Sequence, residues 1–557
     1  MQAFESRWGD SLPVMKGDFT EYWTDGLGSN AQKTGESREV KERLVQGEIL
    51  WSMLSDNAEE PRDLTSEAWR NMILSTEHTW AFMDPVKDEF QQPILKSKLG
   101  YFDRAKELTD SLVKMSYAAI EDKSSNRITV FNTENHAKSG IVLLPADIDR
   151  RYNRVIDSDG KETEVQRLTN GQLAFHAENV APLGCSDYLL KRGKPDMTHT
   201  KAHTVPNVLD NGIVRVEVDP ATGDIVSLLF NGEEFVNNES TANINSFRYL
   251  EGDKSSGYAL KPYDIKIRKR EQGPLINSII IESKAKGCNS LFREVIVTKG
   301  SPMISFHNRI DKQAITDKEG VHFGFAFDIE DPTIHVNIPW GVMELEKDQL
   351  TGANRNWITM QRWLDMSNGE KGVTWVSRNA CAFESGDLTA NIIGKAYKSP
   401  KWIESLPKSA TIYSWALNNH WHTNFPLSQS GIIGFKYDIL PHTYSYDAAE
   451  ANKFAIDRYR PLIAVRTKKD FRLDNRLIID APDAIVMTNY ITLDNGRRKE
   501  LRLHSMSDKN EKVKLSWEGE QPAKIECTAA GNKTSIDTAD TEFSIPAKGV
   551  VTISIER

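Results

Sequence analysis

The sequence predicts an α+β multi-domain chain, a three-helix bundle followed by large antiparallel β-sandwich domains. Three observations lead there. The chain has 557 residues, too many for one ordinary domain and enough for roughly three or four. Between residues 34 and 124 apolar residues recur at spacings of three and four, the helical period. Beyond Ser124 that period gives way to short alternating runs bounded by turn residues, the pattern of strands. Hydrophobic residues at 39% and charged residues at 27% make a globular balance, unlike that of a disordered chain.

Residues 1–34 read as irregular, with Leu12-Pro13-Val14-Met15 as one candidate short strand. A loop rich in aromatic, acidic and glycine residues follows from Gly17 to Ser29. Val40, Leu44, Leu50, Trp51 and Leu54 then form an apolar stripe among charges. Pro61 breaks it, and Leu64, Trp69, Met72 and Ile73 carry a second helix with Asp63 or Thr65 as N-cap. Leu95, Leu99, Phe102, Ala105, Leu108, Leu112, Met115 and Ala119 mark a long third helix with a near coiled-coil seam. Each helix is apolar on one side only. Three such helices joined by short breaks predict an antiparallel bundle over 35–124.

Ile128–Phe131 and Gly140–Leu144 open a small β-rich segment over 125–206. Val214–Val218 alternates cleanly, then Pro220, Gly223 and Asp224 turn the chain into Ile225–Phe230, a hairpin signature. The remaining strand-like runs exceed one small sandwich. They divide into a large β-sandwich over 207–470 and a C-terminal one over 471–557, with the joint near 465–475. No repeat, low-complexity tract or long linker interrupts them.

Composition excludes several functions. The formal charge is −9, and no basic stripe suits a duplex nucleic acid. No apolar run approaches the roughly 18–20 residues of a membrane span. Cys185, Cys288, Cys381 and Cys527 form no CxxC, which leaves neither a zinc ribbon nor a dithiol motif and predicts four unpaired thiols. The first eight residues show no secretory-signal pattern. There is no GxSxG elbow, P-loop or HExxH. The sequence specifies neither a compartment nor an oligomeric state.

Three places could carry chemistry. His78, in Leu74-Ser-Thr-Glu-His-Thr-Trp80, follows an amphipathic helix; it suits a metal ligand or a cap on that helix's last carbonyls. Tyr22-Trp23-Thr24-Asp25-Gly26 sets an aromatic ring beside a carboxylate, fit for a sugar's C–H face and hydroxyls, or for a strand-to-helix loop with a buried Trp. Asn418-Asn-His-Trp-His-Thr-Asn-Phe425 crowds amides, His420, His422 and Trp421 together, as ligand-lining groups or as an alternating strand. Thirteen tryptophans suit the core of a large β protein first and sugar stacking second. With 79 acidic residues, pairing of carboxylates carries no information.

The order of these segments resembles glycoside hydrolase family 38, the zinc-dependent retaining α-mannosidases and their bacterial relatives. The landmarks are the Tyr22–Ser29 loop, the helix opening near Ser37-Arg38-Glu39, Glu77-His78-Thr79-Trp80 and the long third helix. Asn211–Phe235, Phe323-Gly-Phe-Ala-Phe327, Ile338-Pro339-Trp340-Gly341, Trp357–Trp363, Asn418–Phe425 and Pro461-Leu462 follow in order. The similarity runs from the first residue to about residue 470 and more weakly beyond. It implies that 1–34 is a remnant of the family's catalytic α/β barrel. It implies that His78 matches the last zinc-ligand histidine and that Trp23 lines the sugar site. Asp25, Trp80, Trp421 and Asn424 join Trp23 as the expected carbohydrate-binding residues. Thr79 stands where the family's α-mannosidases carry an aspartate, which places the match in a divergent branch.

The resemblance also implies a His-x-Asp pair and a later aspartate, both ligand and nucleophile. None of the twelve histidines begins a His-x-Asp. The chain therefore reads as the C-terminal portion of such an enzyme, with no catalytic residue of its own to assign. Two functions follow as expectations. One is part of a glycosidase that, when complete, hydrolyses α-linked glycosides with retention, using zinc. The other is a non-catalytic carbohydrate-binding or structural β-sandwich module.

Overall fold

The computed structural model describes residues 2–13, 15–20, 22, 24–55, 60–78, 80, 82–83, 85–194, 205–252, 254–390, 402–420, 423–529 and 532–556. A short helix, α1 (Gln2–Trp8), opens the chain. Three helices follow: α2 (Ala31–Leu54), α3 (Arg62–Ser75) and α4 (Asp88–Ala118), with α4 lying along both α2 and α3. One more, α5 (Ala448–Tyr459), is capped by Asp447, whose carboxylate accepts from the amides of Ala449 and Glu450.

The opening differs from the sequence reading. Gln2–Trp8 is helical where irregular chain was expected, since no glycine or proline interrupts it before Gly9. Among the described residues of 1–34 none lies in a strand, and Pro13 offers no N–H to a ladder. A single parallel bridge joins Asp18 to Gln349. Helix α3 begins at Arg62 behind Pro61 without a side-chain cap, so neither Asp63 nor Thr65 plays that part.

The β structure is antiparallel. Among the described residues, nine strands from Tyr263–Gln272 to Gly341–Glu344 make the largest sheet. Against it lies a five-stranded sheet containing Glu319–Ala326 and Thr411–Asn418. Phe323, Phe325, Trp375, Phe435 and Tyr437 fill the space between, each fully buried. The expected hairpin forms, Val214 opposite Phe230 and Val216 opposite Leu228. Its Gly223 is held at φ +70°, and a Cβ there would lie 2.3 Å from the buried Arg293 guanidinium, so only glycine fits. Arg293 in turn binds Asp224 at 2.8 Å. A smaller β unit surrounds Ile128, Val130, Phe175 and Leu190. Ile463–Arg466, expected in the large sandwich, instead pairs with Arg127–Asn132 of this unit. The C-terminal strands from Arg476 onward enclose their own core.

Helix α2 does not follow the expected one-sided pattern. It is buried on several faces, and its polar residues are buried with its apolar ones. Their partners are spread over three β units. Arg38 donates to the carbonyls of Gln361 (2.7 Å) and Ser377 (3.1 Å) in the large sandwich. Glu42 binds Arg362 at 2.6 Å and Arg460, at the end of α5, at 2.9 Å. Gln46 donates to Thr133 Oγ1 and to the Pro461 carbonyl. Glu48 accepts from Asn489, and Lys499 donates to the Ser52 carbonyl, both on the C-terminal unit. Ile49, Leu50 and Met53 are part of that unit's apolar core.

Burial alone would push the Glu42 carboxyl up, but the Arg362 and Arg460 guanidinium groups outweigh it and hold the pKa down at about 2. A folded value below the ordinary 4.5 contributes stability that is complete above about 4.5 and is lost as pH falls through about 2. Glu42→Gln leaves two buried guanidinium groups short of a counter-charge. Urea unfolding at neutral pH should show a loss of about 3–5 kcal/mol, and the variant's stability should depend less steeply on pH between 4.5 and 2. A wild-type midpoint in the variant would show that Glu42 is dispensable.

A candidate carbohydrate-facing corner

Three segments singled out in the sequence meet at one corner. Residues Thr24–Asn30 form a 3₁₀ turn leading into α2. The chain after α3 runs from Glu77 to Met83, and Phe82–Met83 pairs antiparallel with Thr423–Asn424, placing Phe82 opposite Asn424. The strand Thr411–Asn418 ends against the Thr24–Asn30 turn. Asn418 Nδ2 donates to the Asp25 carbonyl at 2.9 Å. Gln429 bridges the same two segments, donating to the Gly28 carbonyl at 2.7 Å and accepting from the Ala31 amide at 3.0 Å.

Phe425 plugs the joint. It packs with Trp80, Phe82 and Phe102, and all four rings are buried. Gly26 lies directly against it: a Cβ at that position would stand 2.1 Å from the Phe425 ring. The Gly in Asp25-Gly26 is thus required by close approach.

Of the expected site residues, Asp25, Asn424, Trp80 and His78 can be placed. Asp25 is half-buried beside Asn418, in a cleft of about 20 Å³ that also touches Trp415 and Cys381. That space holds about one water and no sugar ring, so the corner is a wall rather than a pocket. Asn424 is half-buried in the two-stranded ladder with φ +69°. Trp80 is only 2% exposed, its indole N–H donating to the Glu77 carbonyl at 2.9 Å. Its ring serves the core and offers no face to a ligand. His78 is exposed, 3.4 Å from a Glu77 oxygen, and Glu77 is itself bound by Lys98 at 2.6 Å. Trp23, Trp421, His422 and Thr79 lie outside the described residues. His420 is buried near the Trp415 ring beyond the end of the strand, so the alternating-strand reading of residues 418–425 does not describe it. Gln429 escaped the sequence reading, since one glutamine in a loop carries no pattern.

Among the described residues no three His, Cys, Asp or Glu side chains are grouped to hold a metal ion. One exposed imidazole beside an engaged carboxylate is not a zinc donor set. The four cysteines are unpaired. No described helix is long and apolar enough to cross a membrane.

This corner belongs to a helical layer packed on antiparallel β-sheets. The whole chain superposes on an α-mannosidase from Enterococcus faecalis V583, with a TM-score of 0.72 and 14% identity over 72% of that protein. A second E. faecalis structure, a protein in glycosyl hydrolase family 38, gives 0.71 and 14% identity over 73% of its length. Residues 209–391 match the glycosyl hydrolases family 38 C-terminal domain. The chain carries that domain, and the resemblance drawn from its sequence holds. No curated protein matches it.

The packing at Gly26 is testable. Gly26→Ala should cost about 1–3 kcal/mol, the usual effect of overpacking. Adding Phe425→Leu should restore part of it, because the smaller side chain vacates the contact. Strictly additive losses in urea unfolding would show that the two residues do not press on one another.

Proposed function

We propose that this chain is the scaffold and sugar-facing wall of a family 38 glycoside hydrolase acting on α-linked glycosides of the mannoside type. The observation that carries this reading is the convergence of Thr24–Asn30, Glu77–Met83 and Asn418–Phe425 at one corner of a chain with the family's C-terminal domain. A carboxylate and amides on a rigid wall can orient hydroxyl groups. Trp23 and Trp421 would supply the aromatic faces, and His78 would be one ligand of the family's zinc. That metal would polarise substrate oxygens and hold the nucleophile when bound. The described donors do not complete such a site, and no nucleophile or acid is assigned to them. The domain limits given above, with 1–34 serving the catalytic barrel and 35–124 the bundle, are part of the same proposal.

The test is cleavage of aryl α-mannosides. The 557-residue chain alone should give no turnover, because covalent catalysis without its nucleophile loses many powers of ten. Joined to a family 38 catalytic domain that carries His-x-Asp, it should support cleavage with retention, and Gly26→Ala should lower that rate. Robust turnover by the chain alone would place a nucleophile among its own carboxylates. A folded but inert joined protein would favour the non-catalytic module.

Zinc gives a separate readout. Metal content after dialysis of the chain alone should be well below one ion per protein. His78→Ala should leave the unfolding free energy within about 0.5 kcal/mol, as for other exposed positions. Stoichiometric zinc would contradict the single-ligand reading of His78.

A further inference from the structure

Several indoles are core residues: Trp363 and Trp375 are fully buried, and Trp357 and Trp415 nearly so. Trp340 is the opposite, 55% exposed at the tip between Thr333–Ile338 and Gly341–Glu344. Its backbone is also held at φ +61°, a left-handed conformation that a bulky residue rarely adopts. An exposed, strained tryptophan contributes little to packing. It stands at the mouth of a cavity of about 300 Å³ where α2, α3, α5, the large sandwich and the C-terminal unit meet, a volume typical of small-ligand sites. None of the cavity's lining residues belongs to the corner described above.

Three buried polar atoms of its lining residues have no hydrogen-bond partner: the donor Arg460 Nη1, which lies 3.6 Å from a Glu134 oxygen, and the pair Asn337 Oδ1 and His504 Nε2. Asn337 is 4% exposed and His504 8%. Both of this pair are acceptors. The Asn337 amide nitrogen is already spent on the carbonyls of Ile338 and Gly341. The His504 ring is hydrogen-bonded to the Trp340 backbone, and burial, with Lys548 nearby, holds its pKa below the usual value and keeps it neutral. A carbonyl accepts from one ring N–H, which leaves Nε2 as a bare acceptor. Buried acceptors without partners are rare and call for a donor. The Trp340 ring stands nearly perpendicular to the His504 ring, 5.6 Å between centroids, and keeps more than half of its surface exposed. Across the cavity, Arg362 and Arg460 are engaged by Glu42, while Lys41 offers an ammonium group.

We propose that this cavity is a saccharide-binding site for a neutral pyranose, stacked on Trp340 with hydroxyls donating to Asn337 Oδ1 and His504 Nε2. A fully deprotonated anion brings no proton for either acceptor, and an apolar ligand brings none either. A polyol brings several, and a pyranose adds a C–H face that suits an indole. The inference rests on this cavity alone and stands whether or not the corner serves a hydrolase.

The test is saturation-transfer NMR on the full chain at about pH 9 with methyl α-D-mannopyranoside, methyl β-D-glucopyranoside and, as the anionic arm, methylphosphonate, which has lost both protons there. At least one glycoside should receive saturation on its ring protons, and methylphosphonate should not. Trp340→Gly should weaken binding at least tenfold while the thermal midpoint holds or rises, because glycine accepts φ +61° without strain. His504→Phe keeps the ring shape, removes the acceptor and should weaken binding likewise. Gly26→Ala should leave it unchanged. The proposal is overturned if the folded protein binds neither glycoside, if Trp340→Gly binds as well as wild type, or if methylphosphonate alone binds. A signal lost in Gly26→Ala but kept in Trp340→Gly would move the sugar to the corner and overturn it too.

Discussion

The structure depends on how α2 is buried. A helix whose polar side chains are sequestered from water is stable only if each finds a partner. Glu42 carries the heaviest of these demands. Its carboxylate, 2% exposed, is met by one guanidinium from the large sandwich and one from the end of α5. Desolvating three charges is costly, and the geometry compensates only while all three are in place. The pair geometry is therefore less a source of stability than a constraint. It fixes the rotation and depth of α2 against both elements at once.

The other polar groups of α2 extend that constraint along the helix. Arg38 fixes its first half on sandwich carbonyls, Gln46 fixes its middle on the junction near Pro461, and Glu48 and Ser52 fix its end on the C-terminal unit. Every β unit is thus referred to one helix. The 3₁₀ turn Thr24–Asn30 leads directly into α2, so the same docking sets where Asp25 and Gly26 meet Asn418 and Phe425. The cavity behind Trp340 is a second consequence: α3, α5, the large sandwich and the C-terminal unit converge on α2 without filling the space between them.

Much of this was legible in the sequence. Helix and strand periods are local, and they marked α2 to α4 and the Val214–Phe230 hairpin correctly. The order of short motifs pointed to the family, and the three segments it singled out do converge. What could not be read depends on distant partners. Glu42, Gln46 and Glu48 look like a solvated helix face until Arg362, Pro461 and Asn489 are brought to them. Trp80 looks like a ligand platform until Phe425 arrives from more than three hundred residues away. Ile463–Arg466 follows α5 in sequence yet completes a sheet begun by Arg127–Asn132, a crossing that no local pattern announces. Trp340 sits in a motif that served only as a landmark; its strained backbone and exposed ring are properties of the folded tip.

The most direct test of the account asks whether the docking of α2 assembles the corner. Amide hydrogen exchange in wild type and Glu42→Gln, under native conditions, would follow α2, the Phe82–Met83 and Thr423–Asn424 ladder, and the buried strand Glu319–Ala326. The account predicts that protection in the variant falls in α2 and in the ladder together, while the buried strand retains far more of its own. Ladder amides as protected in the variant as in wild type, with α2 loosened, would contradict it.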